Sequence, residues 1–90
     1  MADRIRIDKW LWHARFYRTR SAAQAAAGAG LIRLNGNRVE KSSVNVGPGD
    51  VLTLPQGRDI VVVRVLKIAV RRGPAAEARL LYEPATETRA

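Results

Sequence analysis

The chain has 90 residues, of which 47% are hydrophobic and 27% charged, so we expect one small globular domain rather than a disordered chain. It contains no cysteine and one histidine, which excludes disulfides and any metal site built from cysteine and histidine ligands. Sixteen lysines and arginines oppose eight acidic residues, for a formal net charge of +8; this excess favours a polyanionic partner, with nucleic acid ahead of an acidic membrane.

The N-terminal half begins with two predicted helices. Apolar residues recur at helical spacing from Trp10 to Tyr17, which predicts a first helix over about residues 8–17 with Asp8 as its N-cap. A second helix is expected to start near Thr19 or Ser21, because Ser21 followed by Gln24 fits a capping box. The alanine-rich run that follows favours helix until two glycines, Gly28 and Gly30, end it.

Strands are predicted after the helices. The dipeptide Asn35-Gly36 separates two short runs and indicates a hairpin over residues 31–40. The segment Gly47-Pro-Gly-Asp50 indicates a tight turn that leads into a strand over residues 51–54. Residues 55–59 are then predicted to form a loop, and the β-branched run at residues 60–70 a long strand.

The C-terminal segment is predicted to contain a short helix. Pro74 suits the first turn of a helix that runs to about Tyr82, and a frayed tail is expected from Pro84 onward. Helices and strands are therefore segregated along the chain, which predicts the α+β class in one domain over residues 1–90. The longest apolar run is interrupted by Arg64 and Lys67, and the N-terminus lacks a long apolar stretch. We therefore expect a cytoplasmic protein with neither a secretory signal nor a membrane partner.

Positive charge is concentrated in the first half of the chain. Residues 3–41 contain nine basic and three acidic residues, a net +6 of the total +8. Cations spaced along one surface bind phosphates by displacing counterions, so we predict that this segment contacts RNA. The basic residues assigned to this surface are Lys9, Arg15, Arg18, Arg20, Arg38 and Lys41. For Arg20, a structural pairing with Asp8 or Asp50 remains open.

Two interpretations remain open for each of three aromatic residues, His13, Trp12 and Phe16. His13 lies one turn beyond Lys9 and either contacts RNA or occupies a neutral surface position. Trp10 is expected in the core. Trp12 and Phe16 are expected to pack within the protein, although stacking of one of them on a base remains open.

No arrangement of residues indicates catalysis. Asp8, Asp50 and Asp59 lack the spacing of a paired-carboxylate site or a triad, and the segment Gly47-Pro-Gly49 lacks the Lys-Ser/Thr of a phosphate-binding loop. We therefore expect a protein that is not an enzyme and that uses no metal, cofactor or small-molecule substrate.

Four motifs in the first half form a familiar set: RIDKWL from Arg6, TRS from Thr19, GLIRLNG from Gly30, and Gly49-Asp50. Together they resemble the αL RNA-binding domain of the small-subunit ribosomal protein S-four type, over roughly residues 5–54. The resemblance implies an αL motif, two short helices packed on a small antiparallel sheet, followed here by a short C-terminal helix. It also implies that the start of the second helix faces RNA through Arg18, Thr19, Arg20, Ser21 and Gln24.

Two longer sequence segments, DKWLWHARFYRTRS and RRGPAAEARLLYE, resemble the ribosome-associated heat-shock protein fifteen family. Its members bind free large ribosomal subunits that carry a stalled nascent chain on tRNA. The resemblance implies that ribosomal RNA of the large subunit is the partner and that the protein acts in rescue or recycling of stalled subunits. This chain is shorter than well-known members, which have a long basic C-terminal extension.

Three alternatives remain at this point. Two short, tightly joined helices also occur in helix-turn-helix proteins that bind DNA. Domains of the αL type often precede a pseudouridine synthase domain, so an accessory subunit of an RNA-modifying enzyme is the second alternative. The third is an interaction protein whose basic face binds an acidic protein.

Overall fold

The computed structural model describes residues 3–85. Its elements follow the chain in this order: β1 Ile5–Arg6, α1 Ile7–His13, α2 Arg20–Gly28, β2 Arg33–Leu34, β3 Asn37–Arg38, β4 Asn45–Val46, β5 Val51–Gln56, β6 Asp59–Val65, α3 Ala75–Ala78, a 3₁₀ turn Arg79–Leu81, and β7 Tyr82–Pro84. The predicted α+β class is confirmed, since short helices pack beside antiparallel strands.

The strands form two sheets. Five strands are ordered β3-β2-β5-β6-β7, and β1 pairs separately with β4. The longest pairing joins β5 to β6, from Val51 opposite Arg64 to Gln56 opposite Asp59. Side chains of these two strands fill the core, including Leu52, Leu54 and Val63, and so one face of the sheet supports the helices.

Helix α1 is shorter than predicted. It ends at His13 because Arg15 adopts a φ of 65°, a left-handed conformation that a continuing helix does not allow. The amide of Phe16 then bonds back to the Leu11 carbonyl at 3.0 Å and closes the helix end. The prediction that Asp8 is the N-cap was wrong: Arg6 occupies that position, and Asp8 is fully buried.

Helix α2 begins at the first of the two predicted starts, next to Thr19. Thr19 is the N-cap, and its Oγ1 accepts a hydrogen bond from the Ala22 amide at 3.0 Å, so the alternative start at Ser21 was wrong. At the other end Gly30 has a φ of 77°, and the Leu31 amide bonds to the Ala26 carbonyl at 3.1 Å, which completes a glycine-dependent helix end. The small buried residues Ala23, Ala26 and Ala27 allow α2 to pack closely in the core.

The two predicted turns are confirmed. Asn35 and Gly36 both have positive φ, 52° and 85°, which is the two-residue hairpin geometry that the dipeptide predicts. Gly49 has a φ of 96°, and the Asp50 amide bonds to the Gly47 carbonyl at 3.1 Å. Asn35 joins the two turns, because its side-chain oxygen accepts from the Val51 amide at 2.8 Å.

The second half departs from prediction in its boundaries. Strand β5 extends through Pro55 and Gln56, so the predicted loop over residues 55–59 is a two-residue turn between β5 and β6. The predicted strand over residues 60–70 ends at Val65, because the amides of Leu66 and Lys67 bond to the Leu81 carbonyl instead.

The C-terminal helix is also shorter than predicted. Pro74 is its N-cap, and the helix proper covers only Ala75–Ala78 before a 3₁₀ turn. Residues expected to end the helix and begin a frayed tail form strand β7, in which Tyr82 pairs with Val65 and Pro84 with Val63. The remainder of the predicted tail, residues 86–90, lies outside the described residues.

An aromatic group joins α1 to the C-terminal segment. Trp10 is fully buried, as predicted, and lies 6.1 Å from the ring centre of Phe16 and 6.4 Å from that of Tyr82. Its indole Nε1 donates to the Lys67 carbonyl at 2.9 Å, so the burial of the indole leaves no unsatisfied donor. Phe16 therefore packs within the protein, which confirms the prediction made for it.

Candidate nucleic-acid interface

A buried carboxylate lies beneath the start of α2. Asp8 is fully buried, and its two oxygens accept hydrogen bonds from Arg6 Nε at 3.1 Å and Arg6 Nη2 at 2.9 Å. The Nε of Arg20 lies 3.9 Å from the same carboxylate, close enough for an ion pair but too far for a hydrogen bond, so Asp8 rather than Asp50 is the acid beside Arg20. Asp50 pairs instead with Arg4 at 3.2 Å.

The carboxylate stays ionised in spite of its burial. Burial alone raises the pKa of Asp8, but hydrogen bonds from Arg6, Gln24 and the Lys9 amide together hold the pKa below its ordinary value of 3.8. One fixed negative charge therefore positions Arg6, Arg20 and Gln24 relative to one another. Since two arginines share that single charge, the surface above it remains net positive.

The predicted residues nearest this carboxylate come from α1 and the start of α2 and differ in their exposure. Arg18, Thr19, Ser21 and Gln24 are exposed, whereas Lys9 and Arg20 are partly buried. We call this group the anchor face: Lys9, Arg18, Thr19, Arg20, Ser21 and Gln24. Its three cations come from α1, from the connection between the helices and from α2.

One further predicted cation, Arg38, lies at the other end of α2, whereas Lys41 precedes Ser42, whose Oγ accepts a hydrogen bond from Arg6 Nη2 at 3.4 Å on the Asp8 side. Arg38, on β3, and Lys41 are exposed. A Cβ at Gly30 would overlap the Arg38 guanidinium, so this side chain rests against the end of α2. Because α2 rises about 1.5 Å per residue, Gly30 lies roughly 15 Å from Arg20. We call Arg38 the hairpin arm.

Besides Lys41, two predicted residues do not belong to either group. His13 is 1% exposed, so the expectation that it contacts RNA or occupies the surface is corrected: its ring packs inside, 5.4 Å from that of Trp12. Arg15 lies beyond the end of α1, and its Nε donates to the Gly73 carbonyl at 2.8 Å. It is exposed, but the left-handed backbone directs it toward the C-terminal segment rather than into the anchor face.

The burial of His13 gives the protein a testable pH dependence. Burial, followed by the positive charge of Lys9, lowers the pKa of His13 below its ordinary value of 6.5; Arg20 and Arg72 add to this effect, and a hydrogen bond with Ala69 opposes it. As the pH falls, the unfolded chain therefore takes up a proton before the folded chain does. The free energy of unfolding should fall as the pH drops through 6.5, by up to about 1.4 kcal/mol per pH unit, until the folded pKa is passed.

Because His13 is the only histidine, one variant isolates this effect. The change His13→Gln should flatten the dependence between about pH 7.5 and 5.5, measured by urea unfolding at several pH values. If the free energy of unfolding changed with pH equally in the variant and the parent, the pH dependence could not be assigned to His13.

Two arginines with specific contacts, one beside Asp8 and one beside Trp12, were missed by the sequence prediction. Arg6 forms the two-pronged contact with Asp8, and its position two residues before Asp8 was the available signal. Arg72 lies 5.6 Å from the centre of the Trp12 ring, and its Nε donates to the Trp12 carbonyl at 3.0 Å. Nothing in the local pattern indicates that pairing, which joins residues 60 positions apart.

Within residues 3–85, no helix combines the length and the apolar character that crossing a membrane requires. In the same range, no group of three or more histidine, aspartate or glutamate side chains is arranged to hold a metal ion.

Two short helices packed on an antiparallel sheet, with a basic surface at the start of the second helix, define the class of protein. The S4 domain family matches residues 5–52, which include both helices, the hairpin and the glycine turn. The chain belongs to the S4 domain family.

More specifically, the chain groups with heat shock protein 15 and its homologues. It is 45% identical over 87 residues to Heat shock protein 15 of Escherichia coli, a match that covers 97% of this chain and 65% of that protein. A solved structure described as the trimeric structure of Vibrio cholerae Heat Shock Protein 15 superposes with a TM-score of 0.86 at 43% identity, covering 91% of this chain and 82% of that one.

A second group of relatives is named for a role on the ribosome. The chain is 39% identical over 74 residues to the RQC P-site tRNA stabilizing factor of Bacillus subtilis, which covers 80% of this chain and 85% of that protein. The chain thus spans most of this relative but just under two thirds of the Escherichia coli protein.

Proposed function

We propose that this chain is a non-enzymatic RNA-binding protein that contacts the phosphates of folded RNA through the anchor face. The observation that carries the proposal is the Asp8 carboxylate, which is fully buried and holds Arg6 and Arg20 beside the exposed Arg18. A preorganised set of cations loses less conformational entropy on binding than free side chains do. The site is therefore built for a fixed array of anions.

The spacing of the two basic groups supports structured RNA as the ligand. The anchor face and the hairpin arm lie at opposite ends of α2, about 15 Å apart. Double-stranded RNA presents phosphates and 2′-hydroxyls along a wide, shallow groove. A rigid surface with separated cations can therefore contact phosphates at more than one place along such a helix.

We propose further that the target is ribosomal RNA of the large subunit and that the protein acts in the cytoplasm, in rescue or recycling of stalled subunits. The choice of the large subunit rests on the family resemblance of residues 8–21 and 71–83, and the role in translation is supported by the name of one relative, an RQC P-site tRNA stabilizing factor. The anchor face, shaped for phosphates, is compatible with either RNA as the immediate contact.

The geometry of α2 disfavours the helix-turn-helix alternative. A recognition helix needs donor and acceptor side chains along its exposed face to distinguish base pairs. Helix α2 has nine residues, six of which are alanine or glycine, and its longer polar side chains lie at Arg20 and Gln24. Both of these contact Asp8.

Co-sedimentation with isolated ribosomal subunits tests the target. The purified chain should pellet with large subunits, and raising the salt concentration should release it, because phosphate contacts are displaced by counterions. Small subunits serve as the matched control at the same concentration. Equal recovery with both subunits, or recovery with neither, would contradict the proposed target.

A further inference from the structure

A second pair of arginines is fixed at the far end of α1. Arg15, just after the helix, donates through Nε to the Gly73 carbonyl at 2.8 Å. Arg72, on the C-terminal segment, donates through Nε to the Trp12 carbonyl at 3.0 Å. Each arginine thus binds the backbone of the segment that carries the other, and the two guanidinium groups are held at one junction.

The terminal nitrogens of these two guanidinium groups are left for an external ligand. Within residues 3–85, neither arginine forms an ion pair or donates a further hydrogen bond through its Nη atoms. The side chain of Trp12, partly buried, lies beneath Arg72 with 5.6 Å between the ring centre and the guanidinium carbon. Arg71, next in the chain, is exposed and adds a third positive charge.

One acidic group lies near the junction. The Glu77 carboxylate rests against Gly73, where an added Cβ would overlap its Oε2. It forms no ion pair with Arg15 or Arg72 in the described residues, so three arginines at residues 15, 71 and 72 outnumber it. The junction therefore has a positive charge, fixed donors and a flat aromatic surface together.

The two arginines are not accounted for by helix capping alone. Cations near a helix C-terminus are favourable because of the exposed carbonyls there, but only Arg72 makes such a contact, through its Nε to the Trp12 carbonyl. The Nε of Arg15 binds Gly73, which precedes α3. Arg15 also occupies a left-handed position, with φ of 65°, where glycine is the residue of lowest backbone energy. A bulky cation at this position indicates a use for its side chain.

We propose that Arg15 and Arg72, with Trp12 beside them, form a second phosphate-binding site for RNA, separate from the anchor face and at the opposite end of α1. The proposal rests on the RNA-binding function proposed above. Planar guanidinium groups bind phosphate oxygens through paired N–H donors, and the Trp12 ring offers a surface for the sugar or base next to that phosphate. RNA would then contact the protein on two sides of α1.

The test uses the full chain and a short RNA hairpin as the probe. In the double variant Arg15→Gly/Arg72→Gln, glycine suits the left-handed backbone and glutamine retains an N–H donor for the Trp12 carbonyl, so folding should persist. The control Arg58→Gln/Arg79→Gln removes the same charge from two exposed positions. The slope of log affinity against log salt should fall by about 0.7 to 0.9 for each lost phosphate contact in the first variant. It should be unchanged in the control.

A third variant moves the affinity in the opposite direction. The change Glu77→Gln removes the one carboxylate near the junction and should raise the affinity for the hairpin about twofold, as expected for an exposed charge. If the parent shows no salt-dependent binding to the hairpin, the proposed function itself fails. If the parent binds but Arg15→Gly/Arg72→Gln, with its folding checked by thermal unfolding, matches the control in slope, the second site is refuted and the two arginines only hold the C-terminal segment.

Discussion

The double change Arg18→Ala/Arg20→Ala is expected to weaken RNA binding by roughly ten- to a hundredfold, if each side chain contributes about 0.7 to 1.4 kcal/mol through a phosphate contact. The slope of log affinity against log salt should fall by somewhat under about 2 for the two lost contacts. Titration of folded RNA at several salt concentrations measures both quantities. The large effect is expected because Arg18 is exposed and Arg20 is held beside Asp8.

The control must remove the same charge elsewhere. Arg71 and Arg72, which the sequence alone would offer as the comparison, are unsuitable because Arg72 contacts Trp12. Arg58→Ala/Arg79→Ala changes two exposed arginines and should leave the salt slope near that of the parent. Equal losses in both double variants, with thermal unfolding unchanged, would show a diffuse electrostatic attraction in place of a docked surface.

The change Asp8→Asn is expected to lower the free energy of unfolding by about 2 to 3 kcal/mol, because it weakens charged hydrogen bonds to a fully buried group. The loss should stay below the usual value for a broken buried ion pair, since the side chain of Arg6 is 42% exposed and remains hydrated. Urea unfolding at neutral pH measures the difference. RNA binding should weaken as well, since Arg20 loses its partner.

An acid titration distinguishes the electrostatic contribution of the Asp8 carboxylate from a contribution of packing alone. The depressed pKa of Asp8 means that its contribution to stability is present above its ordinary value of 3.8 and is lost as the pH falls toward the folded pKa. The difference between the parent and Asp8→Asn should therefore shrink in acid. The exposed Asp59 provides the matched control, and Asp59→Asn should change stability by less than about 0.5 kcal/mol. A constant difference at all pH values would contradict an ionised Asp8.

Local chemistry was sufficient to predict the turns. Asn35-Gly36 and the segment ending at Asp50 need positive φ at particular positions, and only a few residue types adopt it readily. The start of α2 was predicted only as one of two positions: the capping-box pattern favoured Ser21, whereas the Thr19 hydroxyl is the group that accepts a hydrogen bond from the free Ala22 amide. These features depend on neighbours within four residues and can be read along the chain.

The end of α1 could not be predicted in this way. Periodicity continues to Tyr17, but the chain leaves the helix at Arg15, a residue that gives no signal for a left-handed backbone. Its side chain is held by Gly73, which is 58 positions away. The short strands β1, β4 and β7 were missed for a related reason: pairs of two or three residues are set by distant partners rather than by local preference.

The surroundings of Asp8 were predicted only in part. The residues from Arg18 to Gln24 lie at the start of α2, as the resemblance implied, but the Asp8 carboxylate beside Arg20 was interpreted from sequence as a cap. His13 was placed one turn from Lys9 correctly and yet faces the interior. Helical spacing alone does not reveal which side chains of a seven-residue helix are buried by segments that are distant in the sequence.

A competition between two nucleic acids of equal length at one salt concentration measures whether the chain prefers RNA to DNA. The purified chain should bind folded ribosomal RNA more tightly than duplex DNA, because the anchor face is expected to match the groove and phosphate geometry of an A-form helix. Arg18→Ala/Arg20→Ala should reduce this preference together with the affinity. Equal or tighter binding of the DNA duplex would contradict the proposed recognition of folded RNA and would favour a DNA-binding protein.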